Sequence, residues 1–266
     1  MREKEIASRE NPAVKRYVAL AGSRRERRRL GLFVTEGAKL TLEAFGAGYR
    51  PVELFVTEAA WEDGSDALAD CALAAERFCR VSDAVAQKLA QSVTPQGVFA
   101  VFSALDNGAQ PVKIGNNGKF LLLSSLQDPG NLGTILRTAA AFGIDGVFLS
   151  ADCPDLFSPK VLRASMGGVF KAPVRVAEDL GAEIDALRAA GVTVYAAALG
   201  EGAASLRETA LGPGCAVVIG NEGNGLAPEL AARCDRALVI PMEPGTESLN
   251  AAMAAGILLW EIYRNS

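Results

Sequence analysis

The stretch FLLLSSLQDPGNLGTILRTAAAFG, residues 120–143, decides the fold class of this chain. Its first seven residues are mostly apolar, which is typical of a strand that is buried on both faces of a parallel sheet. Asp128-Pro129-Gly130 then turns the chain, and apolar residues recur at helical spacing after the turn. The stretch therefore predicts a strand, a tight turn and a helix over 131–142, which begin a parallel crossover unit.

The same alternation continues to the C-terminus. Further apolar runs follow at GVFLS (146–150), VTVYAAAL (192–199), CAVVIG (215–220) and ALVIP (237–241). Helical stretches are expected between these runs at 158–167, 179–190 and 226–233, and a last helix is expected at 248–264. Strands that alternate with helices predict an α/β domain with a largely parallel sheet, which we assign to residues 119–266.

Residues 1–105 predict a smaller α/β domain. Short β-branched and aromatic strands are expected at 32–37, 52–58, 78–82 and 98–103, with helices ending near Ala47 and covering about 65–77 and 82–91. Asn11-Pro12 predicts a helix start, because Asn caps helices and Pro is tolerated in their first turn. Residues 106–118, DNGAQPVKIGNNG, are rich in Gly, Asn and Pro and predict the linker between the two domains.

The composition excludes several kinds of chemistry. The 266 residues are 50% hydrophobic and 22% charged, the balance of a soluble globular protein. There is no histidine, so Ser-His-Asp catalysis, Cys-His catalysis and histidine-based metal sites are excluded. The five cysteines form no Cys-x-x-Cys pair, and we interpret them as core residues in a reducing cytoplasm. The longest apolar run, Ala251–Trp260, is too short to cross a bilayer, and the charged N-terminus is unlike a secretory signal, so no membrane partner is expected.

Positive charge is concentrated near the N-terminus. Residues 1–35 carry ten Lys and Arg against four Glu, although the net charge of the chain is −4. The centre of this basic arm consists of Arg24, Arg25, Arg27, Arg28 and Arg29. Clustered cations bind nucleic acid by releasing counterions from its phosphates, so these arginines are predicted to contact a polyanion. The alternative interpretation is a solvated helix end.

Three loops follow predicted strands, the place where open α/β sheets bind ligands. The first holds Asn131, which could simply cap its helix. The second, GNEGNG (220–225), has the glycine spacing of neither a dinucleotide fingerprint nor a Walker A loop, and it could be a plain turn. Its Glu222 would repel a phosphate-bearing cofactor. The third loop holds Ser248, which could cap the last helix, and Asn250.

In this order the three loops resemble the motifs of the SpoU/TrmH-type RNA 2′-O-ribose methyltransferases, the class IV enzymes of the SPOUT superfamily. The similar residues are Asn131-Leu132-Gly133 with Arg137-Thr138-Ala139, then Gly220-Asn221-Glu222-Gly223-Asn224-Gly225-Leu226, then Ser248-Leu249-Asn250. SPKVLRASMGGVFKAPV (158–174) also looks like the family, and LFVTEGAKLTLEAF (32–45) is similar to its L30e-like substrate-binding domain. The resemblance is dense over 120–266 and looser before it.

The resemblance implies a fold, a cofactor and partners. The C-terminal domain would contain a deep trefoil knot, bind S-adenosyl-L-methionine in that knot without a metal, and form a homodimer through the knotted domain. The residues expected to contact the cofactor are Ala198, Leu199, Gly200, Gly220, Asn221, Gly225, Ile240, Met242 and Leu249. The apolar helix at 248–264 would be buried in the knot and at the dimer face.

The implied reaction is methyl transfer to a ribose 2′-oxygen in structured RNA, with ribosomal RNA slightly favoured over transfer RNA. The implied catalytic positions are Asn131, Arg137, Glu222, Ser248 and Asn250. Arg137 would act as a fixed cation that holds the adjacent phosphate and stabilises the alkoxide, because a guanidinium stays protonated. Ser248 and Asn250 would form hydrogen bonds with the RNA or the cofactor. Asn131 would orient Arg137 or the ribose. Glu222 would either hold Arg137 or take the proton, and the basic arm would bind the RNA.

Three other functions stay open at this point. A SPOUT enzyme could methylate a base nitrogen, although the combination of Asn131, Arg137 and Ser248-Leu249-Asn250 favours ribose. A non-catalytic RNA-binding or ribosome-assembly factor could keep these motifs. A nucleotide-dependent oxidoreductase of the Rossmann type is disfavoured by the glycine spacing and by Glu222.

Overall fold

The computed structural model describes residues 3–104, 112–198, 202–246 and 248–266. The chain forms two compact units. The first comprises Met1–Gly108 and Asp155–Phe170, and the second comprises Ala109–Pro154 and Lys171–Ser266. The segment Asp155–Phe170, which the sequence analysis counted with the C-terminal domain, therefore packs as part of the first unit.

The first unit is built on a mixed sheet that has five strands within the described residues. The strands are β1 (Glu3–Ile6), β2 (Leu32–Glu36), β3 (Pro51–Val56), β4 (Arg77–Val81) and β5 (Val98–Ser103), in the spatial order β1-β4-β3-β5-β2. The helices are α1 (Pro12–Gly22), α2 (Arg24–Leu30), α3 (Ala38–Gly46), α4 (Glu58–Glu62), α5 (Asp66–Ala74) and α6 (Asp83–Leu89). Strands β1, β4 and β3 are parallel, whereas β5 is antiparallel to both β3 and β2.

The predicted start of α1 is confirmed. The Asn11 side chain accepts a hydrogen bond from the Ala13 N–H, and Pro12 occupies the first turn, where its missing N–H costs nothing. Tyr17 on this helix is fully buried, and its hydroxyl donates to the Thr35 carbonyl at 2.9 Å. Burial raises the pKa of Tyr17 well above its ordinary value, so the phenol stays a donor inside the core.

Three elements of the first unit, namely β1, α2 and α4, were not among the predicted ones. Strand β1 was not predicted, because its sequence, EKEI, lacks the apolar alternation of a half-buried strand; it lies at the edge of the sheet beside β4. The five arginines at the centre of the basic arm lie on a regular helix, α2, whose Ser23 cap accepts a hydrogen bond from the Glu26 N–H. Gly31 ends this helix in the left-handed conformation that favours glycine.

Helix α2 turns one of its five arginines into the protein. Arg27 is 7% exposed, and its Nε donates to Asp155 Oδ2 at 2.7 Å. Its Nη1 also donates to the carbonyl oxygens of Leu20 and Ala21. Arg27 therefore joins α1, α2 and the segment that begins at Asp155, and its guanidinium is not available to a phosphate. The expectation that all five arginines face RNA is revised at this position.

The second unit is built on a sheet of seven parallel strands within the described residues. The strands are β6 (Lys119–Leu123), β7 (Gly146–Leu149), β8 (Val174–Val176), β9 (Thr193–Ala197), β10 (Ala204–Ser205), β11 (Cys215–Ile219) and β12 (Arg236–Val239), in the order β10-β12-β9-β11-β6-β7-β8. The helices are α7 (Pro129–Ala141), α9 (Leu180–Ala189), α10 (Pro228–Ala231) and α11 (Ala251–Arg264), while α8 (Pro159–Ser165) belongs to the first unit.

The predicted parallel α/β fold is confirmed in the second unit. All five residues of β11 are buried, as expected of a central strand that helices cover on both faces. Strands β8 and β10 were not predicted because they have only three and two residues. Part of the predicted linker belongs to this unit, since Val112 and Ile114 pack against its core. Residues 105–111 of the predicted boundary lie outside the described residues.

Strand order sets the position of the candidate site. Strand β6 lies between β7 and β11, and β9 lies between β11 and β12. Because these strands are parallel, their carboxyl ends meet at one edge of the sheet. The three loops that the sequence analysis singled out follow β6, β11 and β12, so they share this edge. Among the described residues, no helix is both long and apolar enough to cross a membrane.

The buried ion pair of Arg27 predicts a specific loss of stability. Arg27→Ala leaves Asp155 with an unpaired charge, and we expect the free energy of unfolding to fall by about 3 kcal/mol. Arg28→Ala is the matched control, because Arg28 is exposed on the same helix, and it should change stability by less than about 0.5 kcal/mol. Urea denaturation, monitored by circular dichroism, measures the free energy of unfolding of both variants. An equal loss of stability in the two variants would contradict the structural role of Arg27.

Candidate functional site

The loop after β6 is held from two sides. Ser125 has a positive φ of 54°, which is uncommon for a residue other than glycine. Its N–H donates to Ser150 Oγ at 2.8 Å, and its carbonyl accepts from Asn221 Nδ2 at 2.7 Å. Ser150 in turn donates to Asp152 at 2.5 Å. These bonds fix the backbone that leads into α7.

Asp128, and not Asn131, caps helix α7. The Asp128 carboxylate accepts from the Asn131 N–H at 2.9 Å, and Pro129 occupies the first turn. The alternative that Asn131 serves only as a helix cap is therefore wrong. Its side chain is left to make contacts outside its own helix.

The glycine-rich loop after β11 closes on itself. Asn221 and Gly225 exchange backbone hydrogen bonds at 2.8 and 2.9 Å, and Asn221 Oδ1 accepts from the N–H groups of Gly223 and Asn224. Gly220 must be glycine, because a Cβ at this position would collide with the backbone of Gly225. The close approach that requires this glycine is thus made by the loop itself.

Glu222 ties the two loops together. Its carboxylate accepts from the backbone N–H of Gln127 at 3.0 Å, from that of Asp128 at 3.2 Å, and from Asn131 Nδ2 at 3.1 Å. Burial alone would raise the pKa of Glu222, but the hydrogen bonds, with that from Asn131 the largest among them, lower it below its ordinary value of 4.5. The carboxylate is therefore a weak base, and its contacts suit a structural anchor.

The third loop joins through Asn250. Asn250 Nδ2 donates to Asn131 Oδ1 at 3.0 Å, and Asn250 Oδ1 accepts from the N–H groups of Ala252 and Met253. Asn250 is therefore the cap of α11, and the interpretation of Ser248 as that cap is wrong. The two amide orientations agree with each other, since the Glu222 carboxylate can only accept and the helix N–H groups can only donate.

The hydrogen bonds that join Glu222 to Asn131 and Asn131 to Asn250 border an open cavity of about 550 Å³. The cavity is lined by Gln127, Asp128, Asn131, Asn221, Glu222, Gly223, Asn224, Ser248, Leu249, Asn250 and Ala251. Its volume lies in the range of ligand pockets. Four of the five predicted catalytic residues, namely Asn131, Glu222, Ser248 and Asn250, thus lie together.

Arg137 is the predicted catalytic residue that does not line this cavity. It lies on α7 six residues after Asn131, which is about 1.7 turns, so it projects from another face of the helix. The side chain is exposed, and no hydrogen bond or ion pair joins it to another of the described residues. The expectation that Glu222 holds Arg137 is not what the structure has; Glu222 binds the loop after β6 instead.

The predicted cofactor residues are spread along the carboxyl edge of the sheet. Ala198 follows β9 and donates its N–H to the Leu238 carbonyl, Gly220 follows β11, and Ile240 follows β12. Met242 is half-buried, and Leu249 is exposed at the cavity. Asn221 and Gly225 close the glycine-rich loop, as described above. Leu199 and Gly200 lie outside the described residues.

The residues that fix the first loop were not predicted from the sequence. Ser125, Ser150 and the backbone of Gln127 contribute no recognisable motif, and the positive φ of Ser125 leaves no signal in the sequence. Asp128 could have been found, because Asp followed by Pro is a common helix start. Among the described residues, no group of three or more Cys, Asp or Glu side chains is arranged to hold a metal ion.

The fold and the site together define an α/β enzyme whose ligand lies at the carboxyl edge of a parallel sheet. The model of the SpoU rRNA methylase family matches residues 118–260, and the chain belongs to this family. A second model, the MRM3-like substrate binding domain, matches residues 11–100. The suspected resemblance is confirmed, and the chain is an RNA methyltransferase.

Similar proteins extend over nearly the whole chain. An uncharacterized tRNA/rRNA methyltransferase of Synechocystis is 35% identical to this chain, and the aligned region covers 97% of this chain and 93% of the Synechocystis protein. The 23S rRNA (guanosine(2553)-2′-O)-methyltransferase of Bacillus subtilis is 34% identical, with 97% and 99% covered. The crystal structure of an AdoMet-bound rRNA methyltransferase from Sinorhizobium meliloti has a TM-score of 0.87 and 32% identity, with 98% of both chains covered.

The contacts of Glu222 predict how its pKa responds to a neighbour. Asn131→Ala removes one of the donors, so we expect the pKa of Glu222 to rise towards 4.5. The hydrogen bonds to the ionised carboxylate are fully present above pH 4.5, and they are lost as the pH falls through the lowered pKa of the folded protein. Because Asn131→Ala raises that pKa, the hydrogen bonds of the variant should be lost at a higher pH. Carboxyl ¹³C NMR measures the titration, and Asn224→Ala, which removes no donor to Glu222, is the control.

Proposed function

We propose that this chain transfers a methyl group from S-adenosyl-L-methionine to the 2′-oxygen of a ribose in ribosomal RNA, in the cytoplasm. The observation that carries the proposal is the hydrogen-bonded chain from Glu222 through Asn131 to Asn250. It gathers all three motif loops of a SpoU-family protein around one cavity. The similar Bacillus subtilis protein, named as a ribosomal RNA 2′-O-methyltransferase, supports ribose as the target and ribosomal RNA over transfer RNA.

The second unit offers a suitable environment for the cofactor. S-Adenosyl-L-methionine supplies a methyl group activated on a positively charged sulfur. Among the described residues that line the cavity, the charged ones are Asp128 and Glu222, so the lining is compatible with a sulfonium. The strand-end positions add backbone groups together with apolar side chains such as Ile240 and Met242, which suit an adenosine.

The residues proposed to hold the cofactor remain those of the sequence analysis. They are Ala198, Leu199, Gly200, Gly220, Asn221, Gly225, Ile240, Met242 and Leu249. The AdoMet-bound Sinorhizobium meliloti enzyme, which shares the fold, supports S-adenosyl-L-methionine as the cofactor. We propose no metal in the reaction. The predicted trefoil knot, which would form around these loops, also stays part of the proposal.

The cavity is proposed to receive the ribose. Asn131 and Asn250 present polar side chains there, and Ser248 supplies a hydroxyl at the rim. The ribose oxygen would bond to the methyl carbon as the bond from that carbon to sulfur breaks, which would release S-adenosyl-L-homocysteine, and the hydroxyl proton would pass to solvent. Aligning the oxygen, the methyl carbon and the sulfur is the main task of the site, because displacement at a methyl carbon requires these three atoms to lie in line. Glu222 acts as a positioning residue. Its lowered pKa makes it a weak base for taking the proton of the ribose hydroxyl, and its hydrogen bond fixes Asn131.

Arg137 is proposed as the cation of the reaction. A guanidinium is effectively always protonated, so it stabilises negative charge on the ribose oxygen or holds the neighbouring phosphate and does not act as a base. Its exposure and its lack of an ion-pair partner among the described residues leave the charge available. Because Arg137 lies outside the cavity of its own chain, it suits a site that a second chain completes.

Dimerisation through helices α7 and α11 supplies that second chain. The rings of Phe142, Trp260 and Tyr263 pack together, with centroids 5.2–5.9 Å apart. Trp260 and Tyr263 are each 48% exposed, and Met253 on the same helix is 63% exposed. A contiguous apolar surface of this kind is typical of an interface between chains.

RNA binding is proposed for the remaining basic residues of α2. Arg25, Arg28 and Arg29 are exposed and Arg24 is half-buried, whereas Arg27 is left out because it is bonded inside the protein. Arg29 forms an ion pair with Glu26 on the same helix. An exposed pair of this kind is weak, so a phosphate can compete for the arginine.

The dimer surface predicts an effect on the oligomeric state. Met253→Glu and Trp260→Glu place charges in the proposed interface, and we expect both variants to sediment as monomers at concentrations at which the wild type is a dimer. Leu73→Glu is the control, since Leu73 is 70% exposed on α5 of the first unit. If the wild type sediments as a monomer in analytical ultracentrifugation, the proposed dimer is contradicted.

The reaction itself predicts a defined product and a defined loss. The wild type, incubated with labelled S-adenosyl-L-methionine and unmodified 23S ribosomal RNA, should yield a 2′-O-methylated nucleoside in mass spectrometry. Arg137→Ala should bind the cofactor normally and lower the rate of transfer by at least about 100-fold, because the charge that stabilises the ribose oxygen is gone. Arg175→Ala is the charge control, since Arg175 is paired with Glu183 and does not line the cavity.

Three outcomes would contradict this assignment. A methylated base in the product would point to a base nitrogen as the acceptor. Transfer to transfer RNA alone would replace the proposed substrate. If Arg137→Ala transferred the methyl group as fast as the wild type and Arg175→Ala do, Arg137 would have no part in the mechanism.

A further inference from the structure

The first unit contains a second cavity that the reaction does not use. It has a volume of about 280 Å³ and lies among α3, α8 and the loop between α6 and β5. Its walls include Lys39, Leu40, Gln96, Leu162, Arg163 and Met166. We call it the Lys39 cavity.

The Lys39 cavity carries net positive charge. Lys39 is exposed, and no ion pair joins it to another described residue. Arg163 donates to the carbonyl of Gln91 at 3.2 Å, a contact that leaves its charge unneutralised. Glu36 also lines the cavity, as its one acidic residue against two cations. Its carboxylate accepts from the Gln91 N–H at 2.8 Å and from the Ser92 hydroxyl, so it is engaged in holding the loop.

The other wall of the cavity is apolar. Leu40 and Leu162 contribute aliphatic surface, and Met166 is 46% exposed at the cavity. Met166 also has a positive φ of 47° at the end of α8, a conformation that is uncommon for a residue other than glycine. This left-handed residue is the C-cap of α8, and methionine suits an adaptable binding surface.

We propose that the Lys39 cavity binds one unstacked nucleotide of the substrate RNA, with the base against Leu40, Leu162 and Met166 and a phosphate at Lys39 and Arg163. Proteins recognise folded RNA through single-stranded bases that are splayed out and packed on side chains. The part of the chain that matches a substrate binding domain, residues 11–100, includes Lys39 and Gln96. The inference rests on the proposed function, in which RNA is the substrate.

Two variants separate the phosphate contact from the base contact. Lys39→Ala removes one cation, so the slope of log affinity against log salt should become shallower by about 0.7, the value for one phosphate of a single strand. Met166→Asn removes apolar surface and suits the left-handed backbone, because Asn adopts it readily. It should weaken binding by roughly fivefold without changing the salt slope, since it carries no charge.

The matched controls lie outside the cavity in the same unit. Lys88→Ala removes an exposed lysine on α6, and Leu73→Asn removes an exposed apolar side chain on α5. The probe is an unmodified transcript of 23S ribosomal RNA, whose binding is measured by filter binding at several salt concentrations. Methyl transfer is measured on the same transcript, where both cavity variants should raise KM for RNA and keep the wild-type kcat.

The outcomes distinguish this inference from the proposed function. If Lys39→Ala and Met166→Asn bind like their controls while the wild type methylates the transcript, the inference is overturned and the function stands. If the wild type binds without methyl transfer and both variants still lose affinity as expected, the cavity is supported and the proposed reaction falls. A wild type that does not bind the transcript overturns both.

Discussion

The candidate site depends on one anion, the Glu222 carboxylate. Three N–H donors converge on it, two from the backbone of the neighbouring loop and one from the Asn131 side chain in the first turn of α7. Asn131 passes the connection to Asn250, which caps the last helix. Side chains 91 and 119 residues apart in sequence are thereby held around one cavity. The low pKa of Glu222 keeps the anion charged, so these contacts persist through the neutral range.

The same residues show how a motif can be structural and functional at once. Gly220 is required because the loop packs on its own backbone, and Asn221 engages both ends of its amide, one on that loop and one on Ser125. Neither residue needs a ligand to explain its presence. What they produce is a rigid edge, on which Asn131 and Asn250, held by Glu222 and by the first turn of α11, present polar groups in fixed positions. The rigidity answers the main demand of methyl transfer, which is alignment.

The first unit shows where local reasoning from the sequence stops. Charge clustering singled out residues 24–29 and gave the five arginines there one role, which was contact with a polyanion. The structure divides them, because a helix repeats every 3.6 residues and turns Arg27 towards Asp155 while Arg28 stays exposed. The Lys39 cavity was invisible for a similar reason: α8 and the residue that follows it, which supply Leu162, Arg163 and Met166, come from a segment more than a hundred residues further along the chain.

The sequence by itself determined the α/β class, the parallel sheet and the family. Apolar runs without alternation require cover on both faces, and the three motifs are specific in combination. It also indicated Asn131, Glu222, Ser248 and Asn250. Only the tertiary structure decided which partner each side chain has: that Asp128 and Asn250 are the helix caps, that Glu222 holds a loop and not Arg137, and that Arg27 is buried. A hydrogen bond between distant segments forms only if donor and acceptor lie within a few tenths of an ångström of about 2.9 Å. Strand order and packing set that distance, and local sequence patterns do not encode it.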